Sequence, residues 1–262
     1  MALTIATWNI NSVRLRAELV ARFLRDESPD VLCLQETKSP VEKIPVGTFA
    51  DLGYTHCVAR GEKGYNGVAI LARLPIEDAA HHDFCQRGDA RHVTARLPGG
   101  VLLHNFYVPA GGDVPDPDAN PKFAHKLDFV AEMADWGAAL DGPHIAVGDL
   151  NIAPLETDVW SHRQMLKVVS HTPTEVAALE AARTAGKWTD VTRSHIPAEE
   201  KLFSWWSYRA RDWAAADRGR RLDHVWSRGV AAVPGSSRLL RAWRGAERPS
   251  DHVPVLAEFD IG

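Results

Sequence analysis

Short apolar runs of strand length recur down the chain: Leu3 to Ile10, Asp30 to Gln35, Gly67 to Leu71, His92 to Leu97, Val101 to Val108, His144 to Asp149, Leu222 to Trp226 and Val253 to Phe259. Each is bounded by Gly, Pro, Asn or Asp, which is the punctuation of strands. Between them two stretches carry helical spacing, one through Leu15, Leu19, Val20, Phe23 and Leu24, the other through Phe123, Leu127, Val130, Met133 and Ala134. Pro121 stands where a first helical turn tolerates it. A third helix is expected over Pro173 to Ala185, with Thr174 as its N-cap and Gly186 just past its end. Pro109 to Asn120 and Arg209 to Arg221 are the long breaks. Pattern continues on both sides of each without a shift in composition, so the expectation is one domain over residues 1–262.

Several of these apolar strands end in polar side chains. Asn9 and Asn11 close the first, Gln35 and Glu36 the second, and Asp149 and Asn151 the run from His144; Asp223 opens one late strand, and Asp251-His252 precedes the last. Residues at i and i+2 of a strand face the same way, so Asn9 with Asn11 and Asp149 with Asn151 form two similar pairs. Any one such end is explained by turn chemistry alone. The set is not, and it points to strand ends converging on a carboxylate-rich site. Mg²⁺ takes oxygen ligands, keeps several waters and uses one or two protein carboxylates, a demand that Glu36 and Asp251 with the amide of Asn9 would meet. Asp223 could hold the imidazole of His252 in one tautomer, although with twelve histidines in the chain most must be bystanders. No G-x-S-x-G elbow and no H-E-x-x-H spacing occurs, which argues against a serine hydrolase and a zinc protease.

A chain that is 45% hydrophobic and 24% charged is neither disordered nor membrane-spanning, since polar residues interrupt every apolar run. Cys33, Cys57 and Cys85 form no C-x-x-C pair, and no basic segment followed by an apolar core is visible at the N-terminus, so a cytoplasmic location is expected. The net charge of −4 speaks against a polyanionic partner until it is mapped. Residues 201–250 hold one Lys and ten Arg against four acids, a local +7 that leaves −11 for the rest. This stretch begins Phe203-Ser204-Trp205-Trp206-Ser207-Tyr208-Arg209-Ala210-Arg211 and continues to Arg218, Arg220 and Arg221. Aromatics interleaved with arginines suit stacking on bases while guanidiniums hold phosphates, although core packing explains the aromatics about as well.

Taken in order, Thr7-Trp8-Asn9-Ile10-Asn11, Pro29-Asp30-Val31-Leu32-Cys33-Leu34-Gln35-Glu36-Thr37-Lys38, Tyr107-Val108-Pro109, Gly148-Asp149-Leu150-Asn151, Phe203-Ser204-Trp205-Trp206, Arg221-Leu222-Asp223 and Ser250-Asp251-His252 resemble the exonuclease III family of apurinic/apyrimidinic endonucleases, within the wider endonuclease/exonuclease/phosphatase superfamily. The resemblance implies a four-layer α-β-β-α sandwich of two mixed β-sheets flanked by helices, and a Mg²⁺-dependent DNA repair nuclease, with Mn²⁺ as a substitute. The expected activity is hydrolysis 5′ to an abasic site in duplex DNA, with 3′-to-5′ exonuclease and 3′-end phosphodiesterase or phosphatase action. By the same resemblance Asn9, Glu36 and Asp251 hold the metal, and Asp149 with Asn151 could hold a second. Asp149 is the acid/base, Asn151 orients it, Tyr107 and His252 meet the scissile phosphate, and Asp223 orients His252. Trp205 and Leu222 form a pocket for a deoxyribose without its base. Arg209, Arg211, Arg218 and Arg220 bind double-stranded DNA containing abasic sites or blocked 3′ ends, and the protein is expected to be a monomer.

Three departures from the family pattern bear on this. Ala110 replaces an amide after Tyr-x-Pro, Asp190-Val191-Thr192-Arg193 is an altered block, and Arg220 stands where an apolar or aromatic residue often lines the pocket. The last bears on the balance between abasic cleavage and 3′-end trimming. The alternatives are a superfamily phosphodiesterase or phosphatase acting on RNA, an inositol phosphate or a phospholipid, and a catalytically silent DNA-binding module. The module would lack Glu36, Asp149 or His252, and all three are present.

Overall fold

The computed structural model describes residues 2–262. One sheet contains β1 (Ala2–Asn9), β2 (Val31–Gln35), β3 (His56–Glu62), β4 (Tyr65–Ala72), β13 (Ala231–Ala232), β14 (Arg238–Leu239) and β15 (Val255–Asp260). Its order is β13-β15-β1-β2-β4-β3, with β14 also paired to β15. The other sheet runs β5-β6-β7-β8-β12-β9, from β5 (Glu77–Asp78), β6 (His92–Arg96), β7 (Leu102–Tyr107), β8 (His144–Asp149), β9 (Thr189–Asp190) and β12 (Asp223–Arg228). A small ribbon pairs β10 (Trp205–Trp206) with β11 (Gly219–Arg220).

All eight expected strands are present. β3 was not expected, because His56-Cys57-Val58-Ala59-Arg60 is half polar and lies at the edge of its sheet, where only Val58 and Ala59 are buried.

Central strands such as β2 are buried along their whole length and therefore read as unbroken apolar runs. The two sheets pack face to face through Ile5, Val31, Cys33 and Ile70 on one side and Val93, Leu103, Ile145, Val147 and Val225 on the other. On the outer face of the first sheet lie α1 (Ala17–Asp26) and α2 (Val46–Ala50), packed through Trp8, Phe23, Leu24, Phe49 and Trp243. The outer face of the second is covered by α3 (Pro121–Ala139) and α5 (Pro173–Ala185) through Phe129, Met133, Leu179 and Trp188, and the one-turn α4 (His162–Met165) lies between them in the chain. The expected four layers are therefore formed.

Two helix expectations need correction. Leu15 precedes α1 and is 60% exposed, because the helix starts only at Ala17. The N-cap of α5 is Thr172, not Thr174: its hydroxyl accepts from Glu175 N, and the Glu175 carboxylate accepts from Thr172 N at 3.1 Å. That reciprocal box leaves Thr174 inside the first turn.

Two polar features interrupt the apolar layers. Between the sheets, Gln35 Nε2 donates to Asn105 Oδ1 at 2.7 Å, while Asn105 Nδ2 donates to the carbonyls of Leu34 and Ala69. Under Trp136, on the outer face of the second sheet, three imidazoles form a ladder. His82 N donates to His92 Nδ1 at 2.9 Å, so a neutral His92 carries its proton on Nε2, 3.2 Å from His104 Nδ1. His104 Nε2 then donates to His144 Nδ1 at 2.9 Å, and His144 Nε2 to the Asp141 carbonyl at 2.8 Å. Hydrogen-bond accounting thus gives all three the same neutral tautomer. Burial pushes His92 down to about 3, and His104 and His144 are lowered for the same first reason.

Candidate active site

Topology brings the polar strand ends together. β1 and β2 are parallel and end side by side at Asn9 and Gln35, as β7 and β8 do at Tyr107 and Asp149. Antiparallel β12 begins opposite Asp149 with Asp223, and β15 begins opposite Thr7, just after Asp251-His252. Gly148 is needed here: a Cβ would sit 2.0 Å from Phe106 O at a φ of +140°. Glu36 and Asn151 leave their strands at φ of 49° and 54°, and such left-handed non-glycine residues are held only where their surroundings over-determine them.

His252 is clasped between two buried carboxylates. Its Nδ1 lies 2.8 Å from Asp223 Oδ2 and its Nε2 3.7 Å from Asp149 Oδ2. Ser204 fixes Asp223 in turn, its hydroxyl donating to Oδ2 at 2.6 Å while accepting from the backbone N–H of Leu222 and Asp223. Burial opposes a charge on His252, but Asp223, Asp149 and Asp251 outweigh it and raise the imidazole to about 10. Asp149 is raised to about 7, first by burial and then by Asp223 and Glu36, against His252 and Asn9, which lower it. Asn151 backs Asp149 with its N–H at 2.9 Å and its Nδ2 at 3.2 Å. Tyr107 is buried alongside, and burial with the charges of Glu36 and Asp149 pushes its phenol well above the usual range.

Asn9 ties the metal candidates to this group. Its Oδ1 accepts from Asn11 N, and its Nδ2 donates at 2.9 Å both to Glu36 Oε1 and to Asp149 Oδ2. The other Glu36 oxygen meets Lys38 Nζ at 2.7 Å. Burial would raise Glu36, yet Lys38 and Asn9 lower it. Asp251 accepts from Trp205 Nε1 at 3.0 Å and from Asn11 Nδ2 at 3.2 Å, and it too is lowered despite burial, chiefly by His252. Asp149, Asp223 and His252 are the one cluster among the described residues with metal-ligand spacing. The imidazole already uses one nitrogen on Asp223 and turns the other toward Asp149, an arrangement suited to passing a proton and not to ligating a metal through nitrogen. A hard divalent cation fits the oxygen set of Glu36 and Asp251 better. Glu36, Asp149, Asp223 and Asp251 outnumber Lys38 and His252 as charges, so the site has negative charge to spare for a cation.

The sequence profile of the endonuclease/exonuclease/phosphatase family matches residues 6–252. The chain belongs to this family. It is 31% identical to an AP endonuclease from Archaeoglobus fulgidus, whose structure superposes with a TM-score of 0.89 over 98% of this chain and 99% of that one. A 3′-5′ exonuclease from Neisseria meningitidis is also 31% identical, with a TM-score of 0.87 over 98% and 100% of the two chains. Among curated proteins, exodeoxyribonuclease III of Haemophilus influenzae is 29% identical over 97% of this chain and 98% of its own.

In this member of the family a cavity of about 230 Å³ opens onto the site, walled by Trp205, Leu222, Val169, Ser170 and Arg220 and reaching Glu36, Asp149, Asp251 and His252. Trp205 and Leu222 are thus brought together in one wall of this cavity. Beyond Trp205 a wider groove is lined by Trp160, Arg209, Arg218 and Arg220, with Arg218 stacked 4.7 Å over the Trp160 ring. Arg211 is exposed but does not line it. On the opposite side of the site a second cleft carries Lys38, Arg87, Arg91, Lys122 and His125. Sequence reasoning missed this basic flank because its cations are scattered singly over distant segments. Ala110 is exposed at the border of both cavities and brings no side-chain donor.

Also missed were the buried charges behind the site. Lys126 Nζ bonds Glu175 Oε1 and, at 2.8 Å, the carbonyl of Asn151; Glu175 also accepts from Ser170 N and from Thr172. Lys126 and Glu175 are fully buried, joining α3 and α5 to two loops of the site. The altered block at 190–193 serves the fold, since Asp190 caps α6 (Val191–His195) and, with Asp158, clamps Arg221, while Arg193 bonds Asp158 at 2.6 Å.

Proposed function

We propose that this family member is a metal-dependent DNA repair nuclease that hydrolyses the phosphodiester 5′ to an abasic site in duplex DNA and also trims 3′ ends, as a 3′-to-5′ exonuclease and 3′ phosphodiesterase or phosphatase. The observation that carries this reading is the clasped His252 beside an oxygen-rich cation site, at the mouth of a small pocket with an aromatic wall. Relatives named as AP endonuclease, 3′-5′ exonuclease and 3′ phosphatase, the last solved with a product DNA hairpin and 30% identical, support the substrate class. The two basic flanks on either side of the site match a polyanionic duplex, read through phosphates and not through bases. We further propose a monomer working in the cytoplasm; among the described residues no helix is long and apolar enough to cross a membrane.

In this mechanism Asn9, Glu36 and Asp251 would hold Mg²⁺, with Mn²⁺ as a substitute, and Asp149 with Asn151 could hold a second ion. When bound, the metal supplies positive charge at the phosphate oxygens. His252, kept charged by Asp223, donates to a nonbridging oxygen and stabilises the negative charge that builds there. Tyr107 gives a second donor. Asp149, poised near neutrality, exchanges the proton of the attacking water or the leaving oxygen, and Asn151 fixes its orientation. Trp205 and Leu222 receive a sugar without a base, which costs less to extrude than an intact nucleotide. The deciding experiment uses a duplex with one abasic analogue. Incision is expected with Mg²⁺ and should stop with chelator; no incision at low salt and neutral pH with Mg²⁺ would overturn the reading.

A further inference from the structure

Two residues in the walls of the substrate cavity hold a backbone conformation that residues with a side chain rarely adopt. Asn151 has a φ of 54° and Ser170 one of 91°. Such residues persist only where their neighbours fix them. Both are fixed from behind by the same buried ion pair. Lys126 Nζ donates to Asn151 O at 2.8 Å and more weakly to Ala110 O at 3.4 Å, and its remaining bond goes to Glu175 Oε1. The Glu175 carboxylate accepts from Ser170 N at 2.9 Å, and from Thr172 N and Oγ1 at 3.1 and 2.7 Å. Gly111 makes the close fit above them possible, since a Cβ there would stand 2.9 Å from Lys126 Cδ and 3.1 Å from Val169 Cγ1.

Stability does not account for a charged pair at this place. Two well-packed apolar side chains hold helices together as well as a buried ion pair does, or better, because no charge has to leave water. What an apolar pair lacks is a donor for the Asn151 carbonyl and an acceptor for the Ser170 N–H. Asn151 in turn backs Asp149 through its N–H at 2.9 Å and its Nδ2 at 3.2 Å, and Nδ2 also bonds Val108 O at 2.8 Å. A left-handed turn at Asn151 released from Lys126 relaxes, and the amide it carries leaves Asp149.

We propose that Lys126 is a positioning residue for hydrolysis, acting through Asn151 on the orientation of Asp149, with Glu175 as the counter-charge that keeps it in the interior and as the anchor of the Ser170 wall. The inference rests on the nuclease reading above. Lys126 does not line the cavity and touches no reacting atom.

The test removes the donor without stranding a charge. In Lys126→Met/Glu175→Gln both partners are neutral, and glutamine still completes the capping box with Thr172 and accepts from Ser170 N. This protein should unfold in urea near the wild-type midpoint. On a duplex with one abasic analogue in Mg²⁺ its kcat should fall by about 100-fold, the scale of a misplacement of about 1 Å, with KM little changed. Glu175→Gln alone keeps the amine on Asn151 O and should stay close to wild type in kcat. The discriminating readout is the same double change made in Asn151→Ala. Once the amide is gone, loss of Lys126 should cost little more, because residues that act through one contact do not add. A double variant with wild-type kcat, or one whose loss is undiminished in the Asn151→Ala background, overturns the proposal. If neither it nor Lys126→Leu/Glu175→Gln folds, the pair serves the fold first and the proposal is overturned as well. No cleavage by wild type would instead remove the nuclease reading beneath it.

Discussion

Two buried neutral histidines, His92 of the imidazole ladder and His224 on β12, should make the fold acid-labile in a window where carboxylates are still ionised. His92 is held down to about 3 and His224, whose Nε2 bonds Ile152 O and whose buried Nδ1 has no partner, to about 4, first by burial in both cases. A histidine depressed in the folded state contributes stability that is present above pH 6.5 and lost as pH falls toward the folded value, because only the unfolded chain takes up the proton. Between pH 6.5 and about 4.5 each of the two loses about 2 kcal/mol, about 4 together. Asp149 works the other way. Its folded value near 7 lies above its unfolded one, so it returns about 2 kcal/mol over the same interval. His252, raised to about 10, has its full contribution below pH 6.5 and adds no slope there. The clean measurement is therefore thermal unfolding of the metal-free Asp149→Asn protein, followed by the fluorescence of its nine tryptophans. A loss of about 4 kcal/mol corresponds to a fall of about 10 °C in Tm for a chain of this size. A Tm that is flat across the window would refute the buried neutral state of His92 and His224, and nitrogen shifts showing Nδ1–H imidazole at His92 or His104 would refute the ladder.

Three further outcomes follow from the site. The pH profile of kcat/KM should rise as Asp149 loses its proton and fall as His252 loses its own; Asp223→Asn should move the alkaline limb down toward the ordinary histidine range, and an unmoved limb would detach Asp223 from His252. Duplex binding should weaken steeply with salt despite the acidic total, and neutralising Arg209, Arg211 and Arg218 together should flatten the slope by up to about three phosphate contacts; a slope unchanged by the triple variant would place the DNA elsewhere. Lys126→Met strands the Glu175 carboxylate in the interior, and should cost about 3 to 5 kcal/mol in urea unfolding, whereas a loss under about 1 kcal/mol would show that the pair is not buried in solution.

Patterns of apolar spacing were enough to place eight strands of the two sheets and the three long helices, because burial on one or both faces imposes those periods directly, whereas the half-polar edge strand β3 carried no such period. The active-site candidates were legible for a related reason: Glu36, Asp149, Asp223 and Asp251 stand at the ends of apolar strands, where a carboxylate is conspicuous. Charges inside the protein were not. Lys126 and Glu175 sit on helices whose polar positions read as solvent-facing, and only the tertiary fold shows each as the other's partner. Asp158 and Arg221 were hidden in the same way, one in a loop and one in a run of arginines. The second basic flank was invisible because Lys38, Arg87, Arg91 and Lys122 come from separate segments and meet only in space. Thr174 reads as a cap because it adjoins the helical pattern, whereas Thr172 emerges only on counting three residues forward to the glutamate that completes the box.

The contact between Gln35 and Asn105 has a consequence for how such a frame can change. Two faces of Val, Ile and Leu make contacts without direction, whereas a hydrogen bond between them has one. The paired amides act as a dowel that fixes the offset, so that groups carried by different sheets, Asn9 and Glu36 on one and Asp149 and Tyr107 on the other, arrive at one point in register. A displacement of about 1 Å at such a point is enough to cost orders of magnitude in rate. The candidate hydrolytic groups are thus tied to the joint itself, while Ala110, Arg220 and the basic flanks line the cavities at its rim. Lineages built on this plan can exchange the rim and turn the same chemistry toward a different end of DNA, without touching the joint that keeps the chemistry true.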